Sequence, residues 1–243
     1  MEIINIIKKY YGNLGSCQNV INEISFKIDE NSVNTILAPS DSGKTTLLKI
    51  IAGLESIDGG EIKLEPFKKI VYIPTQPSFL HWFSVKENFS LINENQDLQK
   101  EIIMLLGLDG YEKHYLNEKS IGFQFLVSFG MALLSGSDLV LVDEPFTGAS
   151  KLIKERICKA VRETVKKRKI SILIATSNLS DAFLFSDSIF LMKGTPLDIV
   201  EKTGFSLKGE RRYELLNSKE AGSFQKRAED FFKNNKTGGL ISF

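Results

Sequence analysis

The sequence predicts an α/β fold built on a mostly parallel sheet. Short apolar runs alternate with helix-spaced runs along most of the chain, the pattern of strands joined by covering helices. The run "VNTILA" (33–38) stops at the turn-forming "PSDSG" and passes straight into a helical pattern. The run "DLVLVDEP" (138–145) is apolar until it ends on two acids, as a strand buried on both faces would.

Residues 2–7 and 24–28 ("ISFKI") read as strands separated by a loop. "VNTILA" is a buried strand, and "KTTLLKIIAGL" is the helix after it. "GGEIKL" gives a turn and a strand, and "KIVYIP" (69–74) another strand. From about 81 to 136 the period becomes helical in "VKENFSLI", "DLQKEIIMLLGL" and "FQFLVSFGMALLSG", which predicts a helical insertion. After "DLVLVDEP" come a helix over about 150–168, the strand "ISILIAT", a helix near 180–186 and the strand "SIFLM". From about 205 the chain is polar, with an amphipathic helix in "SFQKRAEDFFKN" and a final "KTGGLISF" expected to fray.

Composition narrows the function classes. The 243 residues are 42% hydrophobic and 25% charged, with a net charge of +1. That balance gives no field favouring nucleic acid or an anionic membrane. Two cysteines, Cys17 and Cys158, stand far apart without a CxxC, so neither a disulfide framework nor a zinc site is expected. Two histidines are too few for a metal cluster. "MEIINIIKKYYG" lacks the basic start and long apolar core of a signal peptide. No apolar run approaches the ~18 residues that span a bilayer, so a membrane role is expected to come through a partner.

The most informative segment fits GxxxxGK[ST] between a strand and a helix: Ala38, Pro39, Ser40, Asp41, Ser42, Gly43, Lys44, Thr45. Backbone N–H groups at such a helix start cradle phosphates. Lys44 would reach the β- and γ-phosphates, Thr45 would ligate magnesium, and Thr46 would join the nucleotide-binding residues. Two positions depart from the pattern. Ala38 is tolerable where its φ is negative. Asp41 can adopt a left-handed conformation, but its carboxylate lies near a polyanion. At ~8 Å and an effective dielectric of ~20, each like charge costs ~2 kcal/mol. Weakened affinity is the expected result. Asp143 and Glu144, at the end of their strand, would sit beside this loop. Asp143 would support magnesium through water, and Glu144 would polarise an attacking water.

With these motifs the chain resembles the ATP-binding cassette ATPases, the nucleotide-binding subunits of transporters. The resemblance covers nearly all of residues 2–204 and is most specific in "GKTTLLKIIAGLESIDGGEI" and "LVLVDEPFTGAS". It implies an α/β P-loop NTPase fold with a mostly parallel core, an N-terminal antiparallel β subdomain and an inserted helical subdomain. The nucleotide-binding core would then occupy 1–80 and 137–204, the helical subdomain 81–136, and a C-terminal extension 205–243. "PTQPSFLHWFSVKENFSL" is similar to the family's Q-loop segment. There Gln76 would act at both the metal and the catalytic water. "FLHWFSVKEN" is similar to the subgroup importing nitrate, sulfonates, taurine or thiamine precursors. An aromatic near adenine is implied, with Tyr11 chosen and Tyr10 equally open.

Carried over position by position, the resemblance also shows departures. The signature motif, which would bind the γ-phosphate held by the opposite subunit, falls on "KSIGF" (119–123). Ser120 and Gly122 are kept, while Ile121 and Phe123 replace a glycine and a glutamine. Ser150 stands where the D-loop usually has aspartate. Ser177, followed by Asn178, stands where a histidine would sense the γ-phosphate. Losing one pre-organised donor typically costs ~10²–10³ in rate.

The expected function is therefore an importer's ATP-binding subunit that uses ATP and Mg²⁺, with a weakened ATPase site. Its partners would be membrane permease subunits and a second cassette, identical or homologous, with an extracytoplasmic substrate-binding protein acting indirectly. It would lie on the cytoplasmic face of the membrane. "FLHWF" (79–83) offers either a permease-docking surface or core aromatics. The alternative is a non-hydrolysing regulatory or structural cassette paired with a competent homologue. A DNA-repair cassette would need a long coiled-coil insertion, for which residues 81–136 are too short. A translation-factor cassette would need two copies in one chain.

Overall fold

The computed structural model describes residues 1–11, 16–76, 79–117, 119–146, 148–194, 196–204 and 211–234. The strands are β1 (Glu2–Tyr11), β2 (Cys17–Lys27), β3 (Val33–Leu37), β4 (Gly59–Lys63), β5 (Ile70–Ile73), β6 (Leu139–Asp143), β7 (Ser171–Thr176), β8 (Ser188–Lys193) and β9 (Asp198–Gly204). The helices are α1 (Lys44–Ile51), α2 (Val85–Ile92), α3 (Gln96–Leu106), α4 (Ile121–Leu134), α5 (Lys151–Arg168), α6 (Leu179–Phe185) and α7 (Lys219–Asn234).

Among the described residues the strands form two sheets. One is antiparallel, in the order β2-β1-β4. The other runs β5-β6-β7-β3-β8-β9, parallel from β5 to β8, with β9 added antiparallel at the edge. This is the α/β fold the apolar runs predict, with the antiparallel N-terminal sheet and the inserted helices that the resemblance implies.

Burial on both faces explains why β6 and most of β7 read as apolar runs, and in β3 it extends to Asn34 and Thr35. Val140 and Val142 of β6 join one cluster, with Phe89 of α2, Phe125 and Phe129 of α4, and Ile157 of α5. Leu139 and Leu141 face the other way, into a cluster with Leu47, Leu48 and Ile51 of α1 and with Ile3, Ile6 and Ile24 of the antiparallel sheet. The helical insertion starts on a capping box. Ser84 accepts from Glu87 N, and the Glu87 side chain accepts from Ser84 N. Asn95 caps α3, which stops at the left-handed Gly107.

Two regions differ from the sequence reading. β1 and β2 extend to Tyr11 and back to Cys17, forming a hairpin where a loop is expected over residues 8–23. Register shifts within β1, with positive φ at Asn5 and Glu23, break the alternation that would reveal these strands. β9 is a strand the pattern does not show, since "DIVEKTG" is largely polar along an edge. The amphipathic helix near the end is present as α7. Its Phe224, Phe231 and Phe232 pack with Leu37 of β3 and Ile189 and Leu191 of β8. "KTGGLISF" lies outside the described residues. No described helix is long and apolar enough to cross a membrane.

Candidate functional site

The parallel strands deliver the predicted residues to one sheet edge. β3 runs into the loop 38–43 and then α1, and β6 ends on Asp143 in the next-but-one position of the sheet. The loop is pinned to β7 by Ala38 N donating to Thr176 O (3.3 Å). Glu144 N donates to Ala175 O on the same strand (2.9 Å).

Both departures in the loop are accommodated by the backbone. Asp41 has φ 57°, the left-handed value expected of it, whereas Ala38 is absent from the positive-φ residues and carries no strain. Gly43 is required where it stands. It has φ 105°, and a Cβ there would lie 3.0 Å from Val20 Cγ1 and 3.1 Å from Val20 O. Pro39 is buried, whereas Ser40 and Asp41 are exposed at the loop's tip.

The buried Lys44 donates through Nζ to Ala38 O (3.1 Å) and Pro39 O (2.8 Å), and pairs with Glu144 Oε1 (3.3 Å). Its ammonium therefore sits in the cup of its own loop. Glu144, with φ 42°, also accepts from Thr176 Oγ1 through Oε2 (3.3 Å). Thr45 Oγ1 donates to Asp143 Oδ2 (2.7 Å), and Tyr72 OH donates to the same oxygen (3.1 Å). Burial, then the Asp143 charge, pushes the Tyr72 phenol above its ordinary range, which keeps it a donor.

Two buried oxygens of this site, Asp143 Oδ1 and Ser42 Oγ, have no hydrogen-bond partner. Buried polar atoms are rarely left unpaired. Their place beside Thr45 fits a hydrated hard cation and a phosphate, since magnesium takes oxygen donors and keeps waters. Among the described residues no group of three His, Cys, Asp or Glu forms a metal site of its own. Any cation here would thus share Thr45 and Asp143 with a bound phosphate.

Gln76 is exposed and, with Glu144, lines a cleft of about 920 Å³ that also touches Leu80, Ile121, Gln124 and Met131. The aromatics of "FLHWF" divide. Phe79 packs against the core, whereas Trp82 remains 67% exposed. Tyr10 and Tyr11 end β1. Lys8 Nζ lies 5.1 Å from the Tyr10 ring centre, and Tyr11 is 71% exposed, so Tyr11 keeps the open ring face.

The remaining predicted residues start helices. Ser120 caps α4 by accepting from Phe123 N (3.4 Å), and Ser150 caps α5 by accepting from Ile153 N (3.4 Å). Gly122 is a packing position, because a Cβ there would fall 2.2 Å from Ile153 Cγ2. Ile121 stays exposed near Gly148, where an added Cβ would lie 3.6 Å from Ile121 Cδ1. Ser177 is half-buried, and the Glu144 contact belongs to its neighbour Thr176. Thr176 and Tyr72 escaped the sequence reading. The signal available was a hydroxyl near the end of each of two otherwise apolar strands.

A glycine-started helix, a buried lysine in its loop and a hydroxyl–carboxylate pair beside it define an α/β P-loop protein. The ABC transporter family model matches residues 21–147, just over half the chain. The chain is 29% identical to the aliphatic sulfonates import ATP-binding protein of Bacillus cereus, covering 98% of this chain and 97% of that one. It is 35% identical to the formylaminopyrimidine import ATP-binding protein of Halalkalibacterium halodurans, over 75% of this chain and 76% of the relative. A solved nucleotide-free ATP-binding cassette from an ABC transporter superposes with a TM-score of 0.72 at 21% identity, covering 92% of this chain and 97% of that one. A dimeric cassette bound to ADP and Pi superposes at 0.70, with 21% identity, covering 84% and 99%. The chain belongs to the ABC transporter family of ATP-binding proteins. The relatives' sulfonate and formylaminopyrimidine fall within the subgroup that "FLHWFSVKEN" resembles.

Proposed function

We propose that the chain is the ATP-binding subunit of an importer and couples binding and slow hydrolysis of Mg-ATP to transport by a membrane permease. The observation that carries this reading is the cluster of Lys44, Glu144, Thr45 and Asp143 at one sheet edge. The import ATP-binding relatives support it. The subunit would sit on the cytoplasmic face of the membrane through its permease, with the cleft around Gln76 and the exposed Trp82 as the docking surface.

In this reading the residues act in order. Lys44 exchanges the Ala38 and Pro39 carbonyls and Glu144 for the β- and γ-phosphate oxygens. That exchange releases Glu144 Oε1 from the ammonium to accept a proton from water. Thr45 and Asp143 would hold a magnesium ion, which supplies positive charge against the phosphates when bound. Gln76, in the same cleft as Glu144, orients water. Tyr11 offers its ring face to adenine. Ser120 and Gly122 would meet the nucleotide of a second cassette, and Ser177 would reach phosphate only through water.

A second reading is favoured by Ile121, whose exposed aliphatic side chain replaces a signature glycine. In it the chain binds nucleotide without turnover and pairs with a competent homologue. One experiment separates the two: ATP binding and hydrolysis by the purified chain, alone and with its permease, with Glu144→Gln as control. Turnover that disappears in the control while binding persists supports the importer engine. Binding without turnover, even with the permease, supports the second reading. Absence of ATP binding sinks both.

A further inference from the structure

A second cleft runs along α5 from Leu152 to Lys166 and reaches the opposite end of the parallel strands. It is lined by Val33, at the start of β3, whereas Ala38 at the other end enters the phosphate loop. At ~3.3 Å per residue the two ends are ~16 Å apart. The cleft has a volume of about 1150 Å³, bounded by α5 and the segment beginning at Arg211. Ligand sites typically span ~300–1,000 Å³.

Its charge is uneven. Six cations line it, Arg156, Lys159, Arg162, Lys166, Arg211 and Arg212, against four acids. One acid, Asp187, is shared by Arg162 Nη2 (3.0 Å) and Arg211 Nη2 (3.4 Å). Another, Glu155, accepts from Tyr213 N (2.7 Å). Glu163 and Glu214 are the other two, so cations remain in excess. Arg156, Lys159 and Lys166 are exposed and make no ion pair among the described residues.

Arg211 is the most telling residue. Its side chain is only 2% exposed, yet its Nε has no hydrogen-bond partner. Its Nη1 bond to Phe183 O, at 3.4 Å, is long. Desolvation, the largest cause, pulls its pKa below the ordinary arginine value. A buried guanidinium held this loosely is under-satisfied, and a forked donor of that kind matches phosphate oxygens. The exposed Leu152 adds an aliphatic surface, which suits a ligand with an organic portion.

We propose that this cleft binds a small organic phosphate, at a site separate from the nucleotide loop. The phosphate would sit among Arg211, Arg162, Lys159 and Arg156. The ligand would draw α5 and the Arg211 segment together. Those two walls already meet at Asp181, which takes Lys154 Nζ (2.7 Å) and Tyr213 OH (3.0 Å) in the first turn of α6. Occupancy would therefore be felt one turn from Ser177.

The test is calorimetric titration of the full chain with pyrophosphate, in wild type, in Lys44→Ala and in the double variant Arg156→Gln/Lys159→Gln. Both residues of the double variant are exposed, and circular dichroism verifies its fold. A site that survives Lys44→Ala and weakens at least about tenfold in the double variant is expected. Hydrogen exchange should slow at Tyr213–Asn217 on binding. Complete loss of binding in folded Lys44→Ala, or an unchanged double variant, overturns the proposal. So does protection confined to the phosphate loop. Citrate binding as tightly as pyrophosphate overturns the assignment to phosphate.

Discussion

The start of α1 and the starts of α4, α5 and α6 treat the same physical problem in opposite ways. Every helix start has orphan N–H donors. At α1 the N-cap residue is Gly43, and no side chain caps the helix. At the other three, Ser120, Ser150 and Asn178 each accept from an amide of their own helix, at 3.4, 3.4 and 2.8 Å. An uncapped start keeps its donors for an anion, whereas a self-capped start has satisfied one of them internally. The comparison recasts the departures at Ser150 and at the 177–178 pair. Both places hold good capping residues, so they stabilise helices whatever they do for phosphate.

The largest effect expected from that contrast is at α1. Lys44→Ala should lower ATP affinity by ~10–100-fold, the range for a charge-assisted contact. Titration with a fluorescent ATP analogue measures it, with Ser150→Ala binding nucleotide like wild type in the isolated chain. Equal losses in the two variants would erase the distinction between the open and the capped starts.

A gain of function sharpens the same line. Ser177→His places a longer donor next to Thr176, and turnover should rise by about tenfold, a fraction of the ~10²–10³ one donor can supply. Phosphate release at saturating ATP is the readout. An unchanged rate would locate the limit elsewhere, at Ile121 or in the partner cassette.

The fold was legible because β6 and β7 are buried on both faces and so write themselves as largely apolar runs, while β3, which buries Asn34 and Thr35, is marked by the turn and helix that follow it. β9 was not, since an edge strand carries polar residues. The hairpin ends of β1 and β2 were hidden by register shifts. In the site, the loop and the acid pair could be read from spacing alone. The Lys44–Glu144 pair could not, because it depends on a side-chain direction fixed only when β3 and β6 lie in one sheet. Tyr72 was obscured for the same reason. Its hydroxyl matters only through Asp143 on the neighbouring strand.

Packing behind the signature position gives the next effect. Gly122→Ala pushes a methyl into Ile153, and overpacking of that kind costs about 1–3 kcal/mol. Chemical denaturation should show it, with nucleotide binding by the isolated chain unchanged. A neutral result would mean α4 and α5 can separate, leaving Gly122 available for a role in phosphate approach alone.

The smallest effect lies at α2, a capped start to which no phosphate contact is assigned. Ser84→Ala removes the hydroxyl that accepts from Glu87 N and donates to Glu87 Oε2 at 2.6 Å, at a cost of about 1 kcal/mol. The Ser84 hydroxyl, then its backbone N–H, holds the Glu87 carboxyl below the usual carboxylate value. A depressed acid contributes stability above its unfolded pKa and loses it as pH falls through the folded one. The gap between wild type and Ser84→Ala should therefore narrow as pH drops below ~4. Thermal unfolding across that range tests the sign. A gap that stayed constant in acid would mean the Ser84 hydroxyl serves the backbone alone, and α2 would then be capped like α4 and α5.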